Sequence, residues 1–338
     1  MMARALVLEA AGAPLRAVER EPVAPADGEV LVALAATSIN NHDLLNLSGA
    51  YQGLDYPRVP FSDGCGRVCA VGPGVRGLRV GDRVVVQFFP DWLAGPPTAR
   101  ALSRVRGDHV EGCLQTHLRV RADAVVKAPA HLADAEAATL GCAGLTAWRS
   151  LVVEGRVKPG DVVVVQGSGG VSTFAIGLAK QLGARVIATS SSDDKLQQAR
   201  ELGAWKTVNY RQHPAWSDQV LELTGRRGAD HILEVGGPAT FAQSIRALRI
   251  GGHISVIGAL TGLEASDVHL RSIMAKNATV KGITVGSRAD LEDFCRMVEA
   301  CAYRPAMAQV FDWLEVEEAL DAMREQKHFG KLALTIHA

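Results

Sequence analysis

The 338-residue sequence contains only six cysteines, and no two of them form a Cys-x-x-Cys pair. Sparse cysteines in a chain of this length are typical of reduced thiols, so we expect no disulfide framework and a cytoplasmic location. The sequence also has no net charge, because its 36 lysines and arginines balance 36 aspartates and glutamates. Electrostatics therefore favour neither nucleic acid nor an anionic membrane surface as a partner.

Long hydrophobic runs are absent as well. The longest, such as the valines in DVVVVQG, are far too short to cross a bilayer. The amino-terminal segment MMARALVLEAAGAPLRAVERE carries charges inside its apolar stretch, so no signal peptide is expected. The composition, with 48% hydrophobic and 21% charged residues, is that of a globular protein. Because 338 residues exceed what one hydrophobic core usually spans, two domains are expected.

Two kinds of secondary-structure pattern are present along the chain. Residues 1–127 contain short apolar runs, such as EVLVALAAT and DRVVVQF, separated by Gly, Pro and Asp turns, which predicts a β-rich domain. Residues 128–287 alternate between strand and helix patterns. Residues 288–338 contain two helical segments, ADLEDFCRMVEACA and EVEEALDAMREQ, before a final strand in KLALTIHA.

The middle segment predicts an α/β fold. Amphipathic helical stretches such as FAIGLAKQLGA and DDKLQQARELGA separate its strands. Alternation of this kind indicates a doubly wound parallel sheet with helices on both faces. The predicted strands are Val162–Gln166, Arg185–Thr189, Thr207–Tyr210, His231–Val235, His253–Gly258 and Val280–Val285.

The most informative motif is a glycine-rich turn after the first of these strands. The segment VVVVQGSGGVSTFAIGLAK runs from a buried strand through Gly167, Gly169, Gly170 and Val171 directly into a helix. Gly167 permits the tight turn, and the next two glycines let backbone N–H groups approach a pyrophosphate at the helix N-terminus. Ser172 takes the third glycine position of this dinucleotide fingerprint, where a small side chain still allows the helix to pack on the strand.

The end of the second strand indicates which dinucleotide is bound. NAD enzymes place an acidic residue there for the ribose 2′-hydroxyl, whereas this chain has a serine in VIATSSSDDKL. Hydroxyl and ammonium groups suit a 2′-phosphate, which a carboxylate would repel. The sequence therefore favours NADPH, held near Ser190, Ser191, Lys195 and Tyr210. An alternative is that the serines only cap the following helix at Ser192.

The motifs resemble those of the medium-chain dehydrogenase/reductase superfamily over nearly the whole chain. The resemblance lies in SINNHDLLNLSGAY, VPFSDGCGRV, VGPGVRGLRVGDRV, EAATLGCAGLTAW, GSGGVS, VGSR and HFGKLAL, in this order. The most similar members are zinc-free quinone oxidoreductase-like proteins and some alcohol dehydrogenase-like ones. The resemblance implies a GroES-like catalytic domain, residues 1–127 and 288–338, and a Rossmann NADP-binding domain, residues 128–287. It further implies cofactor contacts from Thr146, Gly258, Gly286, Ser287 and Lys331.

The resemblance also bears on zinc. Zinc-dependent relatives carry Cys-x-x-Asp, Gly-His-Glu and a later Cys at the catalytic site. In this chain Asn40 and Ser62 stand at the first two ligand positions, and only Cys142 is kept. A catalytic zinc needs three S, N or O ligands from the protein, and an amide is a poor one. No metal is therefore expected, and the four-cysteine lobe of many relatives is reduced to Cys113.

Without a Lewis acid, a quinone or an α,β-unsaturated carbonyl accepts hydride more easily than an isolated carbonyl, because conjugation spreads the charge. Such a reaction needs a polar contact near the reacting carbon and a hydrogen-bond donor for the oxygen. The candidates by position are Asn40, Asp43, Tyr51 and Cys142. For Asp43 and Tyr51 a purely structural role stays open, and the tyrosine that many relatives carry two residues after the Asp43 position is replaced by Leu45.

Neighbouring residues are assigned simpler roles. His42 is interpreted as an ordinary loop histidine, and Cys142 as lining the nicotinamide pocket and not as a nucleophile. The aromatic residues of VVQFFPDWLAG have two open interpretations. Phe88, Phe89 and Trp92 form either a flat apolar wall for an aromatic substrate or ordinary packing beneath a long loop.

Three functions stay open from the sequence. The leading one is an NADPH-dependent reductase of quinones or activated alkenes. The second is a zinc-free, NADP-dependent alcohol dehydrogenase or carbonyl reductase, and the third is a non-enzymatic NADPH-binding sensor or structural protein. Segment Val280–Val285 is expected to form the outer strand of its sheet and to pair with its copy in a homodimer, through Val280, Ile283 and Val285.

Overall fold

The structure is a computed structural model that describes residues 2–262 and 270–337. The chain divides into two compact units, one formed by residues 1–145 and 285–338 and the other by residues 146–284. The boundaries expected from the sequence, 127/128 and 287/288, differ from this division. The first lies further along the chain because the helix Asp134–Ala138 packs on strands of the first unit.

Strands and helices alternate along the described residues as follows. The strands are β1 Ala3–Val7, β2 Arg16–Arg20, β3 Glu29–Ile39, β4 Cys65–Val71, β5 Arg83–Val86, β6 His117–Arg121, β7 Val125–Lys127, β8 Val162–Gln166, β9 Arg185–Ser190, β10 Lys206–Asn209, β11 Ala229–Glu234, β12 Leu248–Val256, β13 Thr279–Gly282, β14 Met307–Asp312 and β15 Lys331–Thr335. The α-helices are α1 Asn41–Ser48, α2 Ala99–Leu102, α3 Asp134–Ala138, α4 Leu145–Trp148, α5 Gly170–Gln181, α6 Asp193–Leu202, α7 Trp216–Leu223, α8 Pro238–Ala247, α9 Leu270–Lys276, α10 Arg288–Ala300 and α11 Val316–Glu325.

The first unit is built on a seven-stranded sheet in the order β14-β15-β3-β4-β5-β7, with β6 also paired to β3. Its central strand, β3, places alternate apolar side chains in the core, among them Val30 and Val32. Strand β15 runs antiparallel to β3, with Leu332 opposite Ile39. This register brings the start of β15 beside the end of β3, where the site residues of this unit begin.

The second unit is a six-stranded parallel sheet in the order β10-β9-β8-β11-β12-β13. Numbered within the unit this order is 3-2-1-4-5-6, that of a Rossmann fold, so the predicted α/β class is confirmed. Each predicted strand is present. Val162–Gln166 has the predicted ends, and each of the other five is shifted at one or both ends. The last is shorter than expected: it ends at Gly282, the Ile283 N–H still donates to the Val256 carbonyl, and Val285 adopts a left-handed φ of 49°. The carboxyl ends of β8 and β11 define the switch point at which such sheets bind ligands.

The six cysteines are free thiols, as the sequence predicts. Burial raises the pKa of Cys65, Cys113 and Cys295 to about 12, so these three are protonated at neutral pH. In the described part of the chain, every helix is too short or too polar to span a bilayer.

Candidate active site

The glycine-rich turn has the geometry that a dinucleotide requires. Gly167 has a φ of 73°, a left-handed conformation that glycine adopts without strain. Gly169 caps helix α5, and a Cβ built on it would meet no atom within 4 Å. Ser172, at the third fingerprint position, donates from Oγ to the carbonyl oxygen of Gln166 at 2.7 Å and so ties the helix to strand β8. Gly170 and Val171 form the first turn of α5, whose N–H groups point at the open space.

A buried polar network lies beside this turn, at the ends of β8 and β11. Gln166 donates from Nε2 to Glu234 Oε2 at 2.8 Å. Glu234 Oε1 accepts from the backbone N–H groups of Gly236 and Gly237, both at 2.9 Å, and from the Thr240 hydroxyl. The network fixes the loop after β11 at the switch point. The sequence analysis missed it, although a polar residue, Gln166 or Glu234, ends each of the two strands that contribute to it.

One of the serines after β9 caps a helix, and half-buried or exposed side chains surround them. Ser192 accepts from the Lys195 N–H at 3.4 Å, which caps α6 as the alternative interpretation expected. The Ser190 hydroxyl is buried and accepts from the Ser192 N–H at 3.3 Å. Ser191 and Lys195 are half-buried, and burial lowers the pKa of the Lys195 ammonium. Tyr210 is exposed, and its N–H donates to the Ser190 carbonyl at 3.1 Å.

The acidic residue nearest to these serines is Asp193, at the start of α6. Its Oδ1 accepts from Asn209 Nδ2 at 2.8 Å, and its Oδ2 accepts from Gln212 Nε2 at 2.9 Å. Both carboxylate oxygens are therefore engaged by amides from the end of β10. The carboxylate is held on that side, and Ser190 remains the residue at the end of β9.

Two predicted cofactor residues of the second unit are tightly packed. Thr146 is buried, and its carbonyl accepts from the Ser150 hydroxyl at 2.8 Å. Gly258 follows β12, and a Cβ there would lie 2.7 Å from the carbonyl oxygen of Val235. Glycine is thus required at position 258 for the close approach of the two strand ends.

Two further predicted cofactor residues, Gly286 and Ser287, belong to the first unit. A Cβ at Gly286 would lie 2.9 Å from the Leu145 side chain. Ser287 caps α10: its Oγ accepts from the Asp290 N–H at 3.1 Å and donates to Asp290 Oδ2 at 2.7 Å. The Ser287 hydroxyl is therefore committed to a capping box, a structural role that the sequence analysis did not anticipate.

Four buried polar side chains of the first unit, Ser38, Asn40, Asp63 and Lys331, form what we call the Lys331 cluster. Lys331 donates from Nζ to Asn40 Oδ1 at 2.6 Å and to the Ile39 carbonyl at 2.7 Å. Asn40 donates from Nδ2 to Asp63 Oδ2 at 2.8 Å, and Ser38 donates to the same oxygen at 2.5 Å. The ammonium and this carboxylate oxygen are 3.6 Å apart. Lys331 is thus engaged inside its own unit, which argues against the cofactor contact expected of it.

Asp43 is held by backbone donors. Its Oδ2 accepts from the Asn40 N–H at 2.8 Å, closing a capping box at the start of α1, and its Oδ1 accepts from the Ser62 N–H at 3.2 Å. Burial raises the pKa of Asp43 to about 6. These contacts favour the structural interpretation of Asp43, which fixes Asn40 and Ser62 relative to one another.

The raised pKa of Asp43 gives a stability prediction. Between pH 4 and pH 6 the folded carboxyl binds more protons than the unfolded one, so its contribution to stability falls as the pH rises. Raising the pKa of this carboxyl to about 6 lowers the free energy of unfolding by up to about 3 kcal/mol at neutral pH. We expect the free energy of unfolding of Asp43→Asn to improve relative to the wild type by up to this amount between pH 4 and pH 7, in urea titrations. A constant difference between the two proteins across that range would contradict the prediction.

His42, Tyr51 and Asp108 lie together on the same side of α1. His42 Nε2 is 3.0 Å from Asp108 Oδ1. The His42 ring centroid lies 5.1 Å from that of Tyr51 and 5.2 Å from that of Phe88. Tyr51 is 38% exposed, and partial burial raises the pKa of its phenol, so it is a hydrogen-bond donor at neutral pH. The interpretation of His42 as an ordinary loop histidine overlooked Asp108, which has no motif around it in GDHVEG.

The aromatic residues of the long loop are packing residues. Phe88, Phe89 and Trp92 are all buried, and the two phenylalanine rings meet edge to face at 4.8 Å. Their burial favours the second of the two sequence interpretations, because buried rings do not offer a flat wall to a substrate.

Cys142 lies in a π-helical segment, Leu140–Gly144, a local irregularity that is often found at functional sites. Burial, with a further contribution from the nearby Asp63 carboxylate, raises the pKa of its thiol well above the usual value. A protonated thiol is a poor nucleophile, which agrees with the expectation that Cys142 is not a nucleophile.

The residues at the family's zinc position do not suit a zinc ion. The Asn40 amide is engaged at both ends, by Lys331 and by Asp63. The Lys331 ammonium already lies beside the Asp63 carboxylate, so a divalent cation would meet a like charge there. In the described ranges no three His, Cys, Asp or Glu side chains are arranged to hold a metal.

The two units together define an enzyme that joins a dinucleotide-binding sheet to a second, β-rich unit with a buried polar site. Residues 26–130 match the family "Alcohol dehydrogenase GroES-like domain", and residues 170–300 match "Zinc-binding dehydrogenase". The chain belongs to the medium-chain dehydrogenase/reductase superfamily and is an oxidoreductase, as its motifs predict.

Individual relatives agree with this assignment. The chain is 42% identical, over 91% of its length and 91% of the relative's, to a zinc-type alcohol dehydrogenase-like protein of Schizosaccharomyces pombe. It is 26% identical to the acryloyl-coenzyme A reductase of Metallosphaera sedula, covering 92% of this chain and 93% of the relative. A solved structure titled NAD-dependent alcohol dehydrogenase superposes with a TM-score of 0.90 at 34% identity, covering 99% of this chain and all of the other.

Proposed function

We propose that the chain is an NADPH-dependent reductase that transfers hydride to a quinone or an α,β-unsaturated carbonyl without zinc. The observation that carries this proposal is the Lys331 cluster, which fills the family's metal position with an ammonium, an amide and a carboxylate. An enzyme without a Lewis acid favours acceptors whose own conjugation spreads the developing charge. The similarity to a relative named acryloyl-coenzyme A reductase supports an activated alkene as the acceptor.

Two groups of residues have different roles in this reaction: one binds the cofactor and the other contacts the acceptor. Gly169, Gly170 and Val171 offer backbone N–H groups and open space to the pyrophosphate of a nicotinamide dinucleotide. Gly167 provides the turn, and its own N–H donates to the Thr189 carbonyl. When bound, this cofactor supplies the hydride. The acceptor oxygen requires a donor in the first unit, and Asn40 and Tyr51 are the two predicted candidates. Because both Asn40 amide atoms are engaged internally, Tyr51, with its exposed phenol, is the better placed of these two to donate a hydrogen bond to that oxygen.

The direct test is an assay combined with metal analysis. Purified protein is incubated with NADPH and either a benzoquinone or a simple enone, and the absorbance of NADPH is followed. We expect turnover that EDTA does not reduce, and well under one zinc per chain by elemental analysis. Stoichiometric zinc whose removal abolishes activity would overturn the proposal.

The preference for NADPH has its own prediction. In Ser190→Asp a carboxylate stands at the end of β9, where it repels a 2′-phosphate and accepts from a ribose hydroxyl. We expect the ratio of kcat/KM for NADPH to that for NADH to fall by about 10-fold or more. Gln198→Asp, which adds the same charge on the exposed side of α6, serves as the control. A ratio that stays unchanged in Ser190→Asp would place the 2′-phosphate elsewhere.

A zinc-free alcohol dehydrogenase is the second candidate function, favoured by the relatives named alcohol dehydrogenase. It predicts faster NADP-dependent oxidation of simple alcohols than reduction of enones or quinones by the same preparation. The third function considered from the sequence, a non-enzymatic binder, is set aside because the chain belongs to an oxidoreductase family. The free cysteines fit a reducing compartment such as the cytoplasm.

We also propose a homodimer that forms through β13, the edge strand of the parallel sheet. Within the chain, the Ile283 N–H donates to the Val256 carbonyl, so the N–H groups of Val280 and Gly282 point away from β12. Val280 is 38% exposed, whereas Ile283 and Val285 are buried. The expected pairing surface is therefore narrower than Val280–Val285 and centres on Val280.

Val280→Lys tests this surface by placing like charges near a two-fold axis. We expect the wild type to be a dimer by light scattering, and the dimer of the variant to dissociate about 10-fold or more readily. Val310→Lys is the matched control, because Val310 is 43% exposed on β14, the edge strand of the other sheet. A wild-type monomer at micromolar concentration would contradict the proposal.

A further inference from the structure

We infer that His42 is the proton donor of the reduction and that Asp108 positions its imidazole. This inference rests on the proposed function, and it assigns a residue that the sequence had left in an ordinary loop role. The supporting observation is a series of buried polar contacts that ends at the His42 imidazole, one nitrogen of which is accessible to solvent.

The contacts begin at a buried guanidinium. Arg58 donates from Nη2 to Asn46 Oδ1 at 2.8 Å, and Asn46 donates from Nδ2 to Asp108 Oδ1 and to the Gly107 carbonyl. Asp108 and Asn46 are both buried. Asn46 thus holds the Asp108 carboxylate in place, and His42 Nε2 lies 3.0 Å from Asp108 Oδ1. An imidazole held in this way keeps a proton on Nε2, the arrangement by which a carboxylate orients a catalytic histidine.

The second imidazole nitrogen, Nδ1, is left open. In residues 2–262 and 270–337 it has no hydrogen-bond partner, and it is not among the fully buried polar atoms, so it reaches solvent. The Phe88 ring contacts the imidazole edge to face. The Tyr51 ring lies beside the imidazole, and the two ring planes are tilted by 32°. His42 commits one nitrogen to Asp108 and presents the other next to the exposed phenol of Tyr51.

The charges around the ring favour the protonated form. Burial acts to lower the pKa of His42, but the hydrogen bond to Asp108 and the negative charges of Asp43 and Asp108 outweigh it and raise the pKa. The Arg58 guanidinium acts in the opposite direction. A raised pKa keeps the imidazolium populated to a higher pH, which suits a general acid that works near neutrality.

As hydride reaches the β-carbon of the acceptor, the carbon–carbon π electrons shift and the carbonyl π pair moves onto oxygen, which gives an enolate. The enolate takes the proton from His42 Nδ1, the Nδ1–H bond breaks, and its electron pair stays on the imidazole. Neutral His42 keeps its Nε2–H on Asp108 and regains a proton from water. NADPH is the reductant and leaves as NADP⁺.

The test uses the full-length enzyme with NADPH and an enone or quinone. We expect His42→Gln to lower kcat by about 100-fold or more while NADPH binding is unchanged. In the wild type kcat/KM falls as the pH rises through the His42 pKa, and this limb disappears in His42→Gln. Asp108→Asn leaves His42 in place without the carboxylate, so the limb moves to lower pH. His117→Gln, a histidine on β6 whose ring contacts Thr116, is the control and behaves as the wild type.

These measurements distinguish failure of the proposed function from failure of the His42 assignment. Absence of enone and quinone reduction by the wild type overturns the proposed function and this inference with it. Turnover by the wild type together with an unchanged rate and pH profile in His42→Gln overturns only the inference. If His42→Gln does not fold, an alkaline limb that stays in place in Asp108→Asn overturns it. Loss of the limb in Tyr51→Phe, with the limb retained in His42→Gln, assigns the proton to Tyr51 and also overturns it.

Discussion

Lys331→Met is expected to destabilise the protein by about 3–5 kcal/mol, because it leaves the buried Asp63 carboxylate without its cation. Both side chains are almost completely buried, and the Lys331 ammonium is 3.6 Å from Asp63 Oδ2. Asp63 Oδ1 has no hydrogen-bond partner in the described residues, and without Lys331 the carboxylate keeps only the neutral donors Ser38 and Asn40 on Oδ2. Urea unfolding at neutral pH, followed by tryptophan fluorescence and circular dichroism, measures the change.

The double variant Lys331→Met/Asp63→Asn separates the charge from the packing. Removal of both charges should recover most of the lost free energy of unfolding, because an amide at position 63 still meets Ser38 and Asn40. Lys127→Met is the control for loss of an ordinary ion pair. Lys127 is 61% exposed beside Asp82, and its replacement should change stability by less than about 1 kcal/mol. A Lys331→Met protein as stable as the wild type would show that the cluster is not an ion pair in solution.

Gly169→Val is expected to weaken NADPH binding by about 100-fold or more with little effect on folding. The φ of Gly169 is −76°, which any residue adopts, and a Cβ there meets no protein atom within 4 Å. The added side chain therefore occupies the space that the turn leaves for a pyrophosphate. Isothermal titration with NADPH measures the affinity, and thermal unfolding without cofactor measures the stability.

Gly282→Ala is the matched control for this variant. Its Cβ also meets no protein atom within 4 Å, but it lies at the end of β13, away from the glycine-rich turn. We expect NADPH binding by Gly282→Ala to equal that of the wild type. Equal affinity in Gly169→Val and the wild type would place the pyrophosphate away from this turn.

The sequence by itself determined the features that depend on local pattern. The strand Val162–Gln166, the glycine-rich turn and the helix after it appear where they were predicted, because apolar runs and glycine conformations act over a few residues. The parallel sheet followed for a related reason, since strand–helix alternation leaves few other topologies. The end of the last strand was misplaced, because the left-handed backbone at Val285 has no sequence signal in a β-branched residue.

Only the tertiary structure decided which polar side chains meet. Lys331 and Asn40 are 291 residues apart in the chain, and their contact depends on the antiparallel register of β15 against β3. His42 and Asp108 are 66 residues apart, and no motif links them. Contacts of this kind are fixed by strand register and loop closure over long chain separations, which the pattern of neighbouring residues does not encode. The sequence therefore located the glycine-rich turn between strand and helix, and the three-dimensional packing was needed to find the buried ion pair and the proposed acid.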